Sequence, residues 1–491
     1  MGKNNKMVKV NKEKKIIEEL KEIVGPKNAS NEPWVLYIYS KDSSIHEGQI
    51  PGFVVRPGNV KELQEIVRLA NRTKTPVFPR GSGNALWAAI PPKGSIVIDT
   101  ARMNRLLKVN KDTLNCIVEP GIMWAELEGL LHKEGYKYLV SPGNYIGASV
   151  GGHIASHGVG PSSSIAGNQG DCVIGLKVVL ADGTLLTTGS AAHPYHPEHF
   201  ARYTVPYDLT GLFVGSEGTL GILVEICLKI EKLEKAVRFA IYAFKTYEDG
   251  CQAALEFRET QFRLVRLMID QFIPGRRARY SPEAEKVVAT TYPITTIVGF
   301  EVCHESLADP QLKVLQEITA RNGGVDLSTL DPMVPKNAEG MWRETGIGHC
   351  LRFQYGVRTL LPMIIPFGME AKFFFEKGIE ITKEVQKKFP QFVYSDAGNA
   401  FSVDRHYLSG FMTWYDESDP ENWADAKEAM HMFQERGWKN GWTPYRWGTE
   451  WNSYLKTIHP YYDILKKLKK TLDPNNIMSP GILGLGGKGG R

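Results

Sequence analysis

Short apolar runs alternate with amphipathic stretches through the first half of the chain. Residues 52–56 read as a strand stopped by Pro57-Gly58. Asn59 then supplies a helix N-cap, and Val60, Leu63, Val67 and Ala70 recur at the spacing that lines one helical face. A strand-like Thr75-Pro76-Val77-Phe78 follows. Further strands are predicted at 95–99 and 116–119. Met123, Leu127, Leu130 and Leu131 mark a helix that stops at Gly135. Val178-Val179-Leu180 and Thr184-Leu185-Leu186 flank Asp182-Gly183. That pattern predicts a hairpin through a type I′ turn, whose two central residues take positive φ.

The stretch before the hairpin carries Gly147, Gly151, Gly152, Gly158, Gly160, Gly167 and Gly170, with little bulk between them. Val150, Ile154, Val159 and Ile165 are interleaved and need burial, which argues against a plain linker. Glycine at this density lets backbone approach a ligand closely. The expectation is a loop wrapped round a large flat or phosphorylated molecule.

The pattern changes near residue 232. Strands are predicted at 237–244, 264–269, 294–302, 360–366, about Phe392 and at 411–415. Helices are predicted at 251–257, 312–324, 371–388 and 423–436. This is an antiparallel sheet with helices on it. In the tail, Tyr461, Leu465, Leu468 and Leu472 form one helical stripe, stopped by Asp473-Pro474. The fold class is α+β. Residues 1–48 read as a tail and helix, 49–232 as a first domain, 233–441 as a second, and 442–491 as a C-terminal segment.

Composition narrows the function. A net charge of +5 over 491 residues is mild, and the lysines at 466, 467, 469 and 470 read as a solvated face. Nucleic acid is not an expected partner. The six cysteines include no CxxC pair, so no zinc ribbon or iron–sulfur cluster is suggested. Scattered thiols fit a reducing compartment, here the cytoplasm. The basic start runs into a helical KIIEELKEIV, and no long apolar run follows, so neither a secretory signal nor a membrane span is expected. His193, His196 and His199 tempt a metal reading, but Pro194 and Pro197 forbid the helix that would align them. They are read as a loop, placed at a candidate subunit interface, with no metal.

Two further glycine turns carry chemistry. Pro79-Arg80-Gly81-Ser82-Gly83-Asn84 follows a strand, and backbone N–H groups in such a turn suit phosphate oxygens. It is not the dinucleotide fingerprint, because Leu86 stands where the third glycine belongs. The second is GLFVGSEGTLGI at 211–222, leading into a strand.

PRGSGN, SPGN…GASVGGHIASHGVG, VVLADGTLLTTG, GLFVGSEGTLGI and LDPNNIMSPG stand in this order. Together they resemble the FAD-linked oxidases of the vanillyl-alcohol oxidase/p-cresol methylhydroxylase type, over about residues 39–481. The resemblance implies a PCMH-type FAD-binding domain, completed by the C-terminal segment, with a cap domain over the ring. It implies flavin contacts at Pro79, Arg80, Gly81, Ser82, Gly83 and Asn84, and at Pro142, Gly143, Gly147, Ala148, Ser149, Gly151, Gly152 and His153. Gly158, Gly218, Gly221 and Ile222 complete the set. No histidine stands in the first turn, so the expectation is tight noncovalent FAD. A homo-oligomer and an external electron acceptor (oxygen, a cytochrome or a flavoprotein) are also implied.

Two branches of the family compete for the substrate. In one, which oxidises para-substituted phenols and aromatic alcohols, tyrosines and an arginine bind a phenolate, which expels a hydride to flavin N5. Tyr445-Arg446 resembles that pair, and Tyr39 is the candidate second tyrosine. The alternative for these residues buries Tyr445 in the core and pairs Arg446 with Glu450. The branch's catalytic aspartate falls on Asn168, with Asp171 nearby; a matching acid in the other branch points to a structural part. The second branch oxidises 2-hydroxy acids such as D-lactate or glycolate. YSKDSSIHEG and GLFVGSEGTLGI are closer to it, although PYRWGTEW replaces its C-terminal motif. There Arg446 would hold a carboxylate and His406 would take the hydroxyl proton. Different in class are a flavin-binding subunit that passes electrons inside a complex and a colourless non-enzymatic scaffold.

Overall fold

The computed structural model describes residues 2–87, 89–140, 142–160, 162–271, 282–336, 339, 357–395 and 400–487. Ser141 and Cys350 lie outside them. The described strands form three sheets.

The first sheet runs in the order Ala29–Ser30, Phe53–Val55, Ile96–Asp99, Val77–Arg80. Its last three strands are parallel, and the helix Val60–Thr73 crosses over between the outer two. Asn59 caps that helix by accepting the Glu62 N–H at 3.0 Å. Leu63, Ile66, Val67, Leu69 and Ala70 bury its inner face. The N-terminal helix, Gly2–Val24, is longer than its sequence suggests and adds Ile16, Ile17, Leu20 and Val24 to the same core.

The second sheet is antiparallel, with the long strand Ile222–Lys232 at its centre, between Val173–Val179 and Asn115–Val118. The hairpin is present, with Val179 opposite Leu185. Its turn differs from type I′: only Gly183 takes positive φ, at 84°, and Asp182 does not. Gly183 N–H donates to Leu180 O and Leu180 N–H to Thr184 O, the pattern of a longer loop closed by a left-handed glycine. Asp182 instead spends its carboxylate on the Thr184 N–H and hydroxyl.

The glycine stretch is not a continuous loop. It holds two short helices, Val150–Ala155 and Ser163–Ala166. Burial of Val150 and Ile154 against Trp124, Leu127 and Phe213 makes the first of these possible. Gly151 is required there because a Cβ would stand 2.5 Å from Pro120 Cβ.

The third sheet has nine strands, all in antiparallel pairs, from Val325–Asp326 through Ala236–Phe244 and His406–Tyr415 to Thr443–Pro444. Helices Tyr247–Glu259, Ala371–Lys388 and Pro420–Lys439 cover it, with Phe257, Phe375 and Phe433 fully buried beneath them.

The chain end returns to the first sheet. Val77 N–H donates to Ile477 O at 2.8 Å and Ser479 N–H to Val77 O at 2.9 Å. The helix Tyr461–Leu472 buries its predicted stripe in part: Leu465, Leu468 and Leu472 are half-buried and Tyr461 is exposed, while Tyr462 and Lys469, outside the stripe, are buried. The reason is polar. Lys469 Nζ donates to the carbonyls of Thr219 and Met478 and pairs with Asp473, whose carboxylate in turn accepts the N–H groups of Ile477 and Met478.

Candidate functional site

Four backbone segments converge where the first two sheets meet the returning tail. A Cβ on Gly81 would lie 2.1 Å from Ser149 Oγ, and one on Gly218 would lie 2.4 Å from Pro79 Cγ and 3.2 Å from Ser479 Oγ. Gly83 and Gly218 both take positive φ. Asn84 Nδ2 donates to Gly147 O, tying the first turn to the glycine stretch. Arg80 is turned inward, donating to the carbonyls of Tyr39 and Lys41. Ser149 Oγ, Ser479 Oγ and His153 Nδ1 are buried and have no hydrogen-bond partner among the described residues. Close-packed glycine backbone with spare polar atoms fits the pyrophosphate of a dinucleotide cofactor.

His153 is buried, with Nε2 facing Val159 O at 3.3 Å. Burial, then the nearby Arg446 cation, lower its pKa to about 3, so the ring is neutral. Gly221 and Ile222 lie against the hairpin strands, Gly221 beside Val178 and Ile222 paired with Val179, so they support the turn.

Tyr445 and Arg446 follow the short strand Thr443–Pro444 at the edge of the third sheet. Arg446 Nη1 donates to Ser156 Oγ at 2.8 Å, and Nη2 to Tyr445 Oη at 3.2 Å. The guanidinium lies over the Trp87 ring at 3.8 Å. Tyr445 packs with Val159, Val403 and Leu408. Arg446 can only donate, so the Tyr445 oxygen is the acceptor in that bond and its own hydrogen is left to donate. Arg446 does not pair with Glu450, which binds His46 Nε2 at 3.0 Å.

Tyr39 is not brought to this pair. Its hydroxyl donates to Asp99 at 2.6 Å and its ring lies 5.2 Å from the Arg80 guanidinium, both on the first sheet. Burial, with the Asp99 carboxylate next, holds that phenol far above its usual pKa. Asn168 and Asp171 form a capping box, with Asp171 Oδ2 accepting the Asn168 N–H at 2.8 Å. Asp171 still acts at a distance, partly opposing the burial that lowers the pKa of His157 and His406.

His406 opens its strand opposite Pro366 and Val403. Its Nε2 is buried and has no hydrogen-bond partner among the described residues, and burial lowers its pKa. His157, not singled out in the sequence, sits beside it electrostatically, with φ of 54° and a pKa lowered first by burial. Trp87, Ser156 and Glu217 were also missed. Their only signal was position inside the glycine turns or next to them, where attention falls on the glycines. The histidines of the 193–199 loop are dispersed: His193 Nδ1 accepts the Tyr195 N–H, His196 packs on Phe200, and His199 is buried against Gly175.

Comparison with known proteins agrees with this geometry. Residues 51–189 match the FAD binding domain, and residues 410–483 match the C-terminal domain of FAD linked oxidases. The chain is 27% identical to a mitochondrial D-lactate dehydrogenase [cytochrome] of Arabidopsis thaliana, over 96% of this chain and 80% of that one. It is 32% identical to a glycolate oxidase subunit of Bacillus subtilis, over 44% of this chain and 45% of that one. The fold superposes on p-cresol methylhydroxylase with a TM-score of 0.79 at 18% identity, covering 97% of each chain. The chain is an FAD-linked oxidoreductase that carries an FAD binding domain and an FAD linked oxidase C-terminal domain, with a PCMH-type FAD-binding fold. No helix among the described residues is long and apolar enough to cross a membrane.

Proposed function

We propose that this enzyme oxidises a para-substituted phenol or aromatic alcohol, with Tyr445 and Arg446 gripping the phenol oxygen as its phenolate. The observation that carries the reading is the hydrogen-bond count at Tyr445. Its oxygen accepts from Arg446, which can only donate, and this leaves its hydrogen for a substrate oxygen. Among the described residues the hydrogen bonds of Arg446 go to neutral acceptors, Ser156 and Tyr445, so its charge is left for an anion. A fixed cation beside a hydroxyl donor lowers a bound phenol's pKa. The Trp87 face, already stacked on the guanidinium, supplies an aromatic wall beside it. FAD, when bound, accepts the two electrons of the oxidation as a hydride equivalent. The glycine turns at 80–84, 147–153 and 216–221 would hold it, with Ser149 and Ser479 as spare donors.

A second reading is favoured by the sequence relatives, whose names are those of D-lactate and glycolate enzymes. In it, Arg446 clamps a carboxylate through its planar fork, and the buried His406 Nε2 takes the hydroxyl proton. The test is anaerobic mixing of the yellow protein with 4-alkylphenols, vanillyl-type alcohols, D-lactate and glycolate in turn. Bleaching by the phenols alone supports the first reading, and bleaching by the hydroxy acids alone replaces it with the second. An external electron acceptor, a homo-oligomeric state and a cytoplasmic location complete the proposal. The last rests on the described cysteines being free thiols.

A further inference from the structure

Glu217 lies in the GLFVGSEGTLGI turn, in a left-handed backbone conformation with φ of 49°. Its N–H donates to Ala155 O at 2.9 Å, one residue before Ser156. Its buried carboxyl group lies toward the backbone N–H of Gly448, two residues after Arg446. The residue thus stands between the two segments whose side chains meet in the Arg446–Ser156 hydrogen bond. Its Oε2 is buried and has no hydrogen-bond partner among the described residues.

The charged groups that act on Glu217 are Arg446, Asp42 and Glu450. The two acids are already engaged. Asp42 accepts the N–H groups of Ser44 and Ala89, and Glu450 holds His46. Glu217 therefore has a spare buried oxygen within electrostatic reach of the Arg446 cation, whose hydrogen bonds among the described residues go to neutral acceptors.

A phenol that binds as its phenolate must give up a proton. We propose that Glu217 takes that proton, so that phenolate binding at Arg446 and protonation of Glu217 are one coupled event. The proposal rests on the phenol reading of the site. The phenol O–H bond breaks, its electron pair stays on the oxygen beside Arg446, and the proton forms an O–H bond on Glu217. No net charge enters the buried site. The count is the same for direct or water-carried transfer.

The electrostatics favour this direction. Burial raises the Glu217 carboxyl to about 7, against the lowering effect of Arg446. A phenolate beside Arg446 offsets that lowering, so the carboxyl gains proton affinity at the moment the phenol loses its proton.

The experiment uses the FAD-loaded protein and 4-bromophenol, which has no benzylic C–H bond and cannot be oxidised there. At about pH 8 the free phenol is protonated. In weak buffer with an indicator dye, the wild type should develop the ultraviolet band of a bound phenolate and release almost no proton. Glu217→Gln should show the same band and release about one proton per bound ligand. Equal release by both proteins overturns the proposal. A wild type that binds 4-bromophenol without a phenolate band overturns the phenol reading itself, and the proton store with it. An infrared difference spectrum of the wild type keeps the test open if Glu217→Gln does not fold. Binding should add a protonated-carboxyl band, and its absence alongside a phenolate band overturns the assignment.

Discussion

Arg446 Nη1 and Ser156 Oγ, 290 positions apart in the chain, meet at 2.8 Å. That bond joins the edge of the third sheet to the helix of the glycine stretch and aims the guanidinium. Ser156→Ala removes an acceptor from a charged donor, a loss of about 1.5–3 kcal/mol. The expected outcome is a rise in KM for phenols of about tenfold or more, with FAD content unchanged. Steady-state kinetics and the visible spectrum check it.

Arg446→Ala should abolish reduction of the flavin by substrate while leaving FAD bound. Arg446→Lys keeps the charge but loses the fork that reaches Ser156 and Tyr445 together, so it should recover little. Anaerobic stopped-flow separates binding from reduction. Unchanged reduction in Arg446→Ala would remove this residue from the clamp.

Gly158→Ala tests the packing of the cofactor turn. A Cβ there would lie 1.9 Å from the His153 ring. That ring cannot retreat freely, because it stands edge-on to the buried Trp124 at 5.5 Å. Overpacking of this kind costs about 1–3 kcal/mol. A lowered melting temperature and faster FAD release, followed by flavin fluorescence, are expected.

His153 makes a prediction about acid. Its folded pKa, about 3, lies below the ordinary 6.5. Between those values the unfolded chain binds the proton that the folded protein refuses, so stability falls as pH falls through that window. Each pH unit is worth about 1.4 kcal/mol for one such group. His199, lowered to about 4 by burial and then Lys177, adds to the same trend. Glu217 has the opposite sign, because its raised pKa weakens the fold as pH rises from 4.5 to about 7. Urea unfolding across pH should show a steep acid limb, flattened in His153→Gln.

Lys469→Met breaks a buried ion pair and strands the carbonyls of Thr219 and Met478. The expected loss is about 3–5 kcal/mol. Because Thr219 sits in the turn beside Gly218, FAD affinity should fall as well. Equilibrium unfolding and FAD titration report the two effects separately.

The helix at Val60–Thr73 and the hairpin at 173–187 are legible in the sequence because their determinants are local: an N-cap, an apolar stripe, a glycine between two apolar runs. The FAD-binding class is legible too, because several glycine turns in a fixed order leave few other folds. Local pattern misjudges the tail helix, where Lys469 is buried to satisfy carbonyls that lie far away in the chain. It also attaches Tyr39 to the substrate, although tertiary packing gives that hydroxyl to Asp99. By itself the sequence determined which segments form strands, helices and glycine turns, since those depend on neighbours a few positions apart. Only the tertiary structure decided that Trp87, Ser156, Glu217 and Arg446 share one site, because hydrogen bonds and charges act through space between segments that periodicity does not relate.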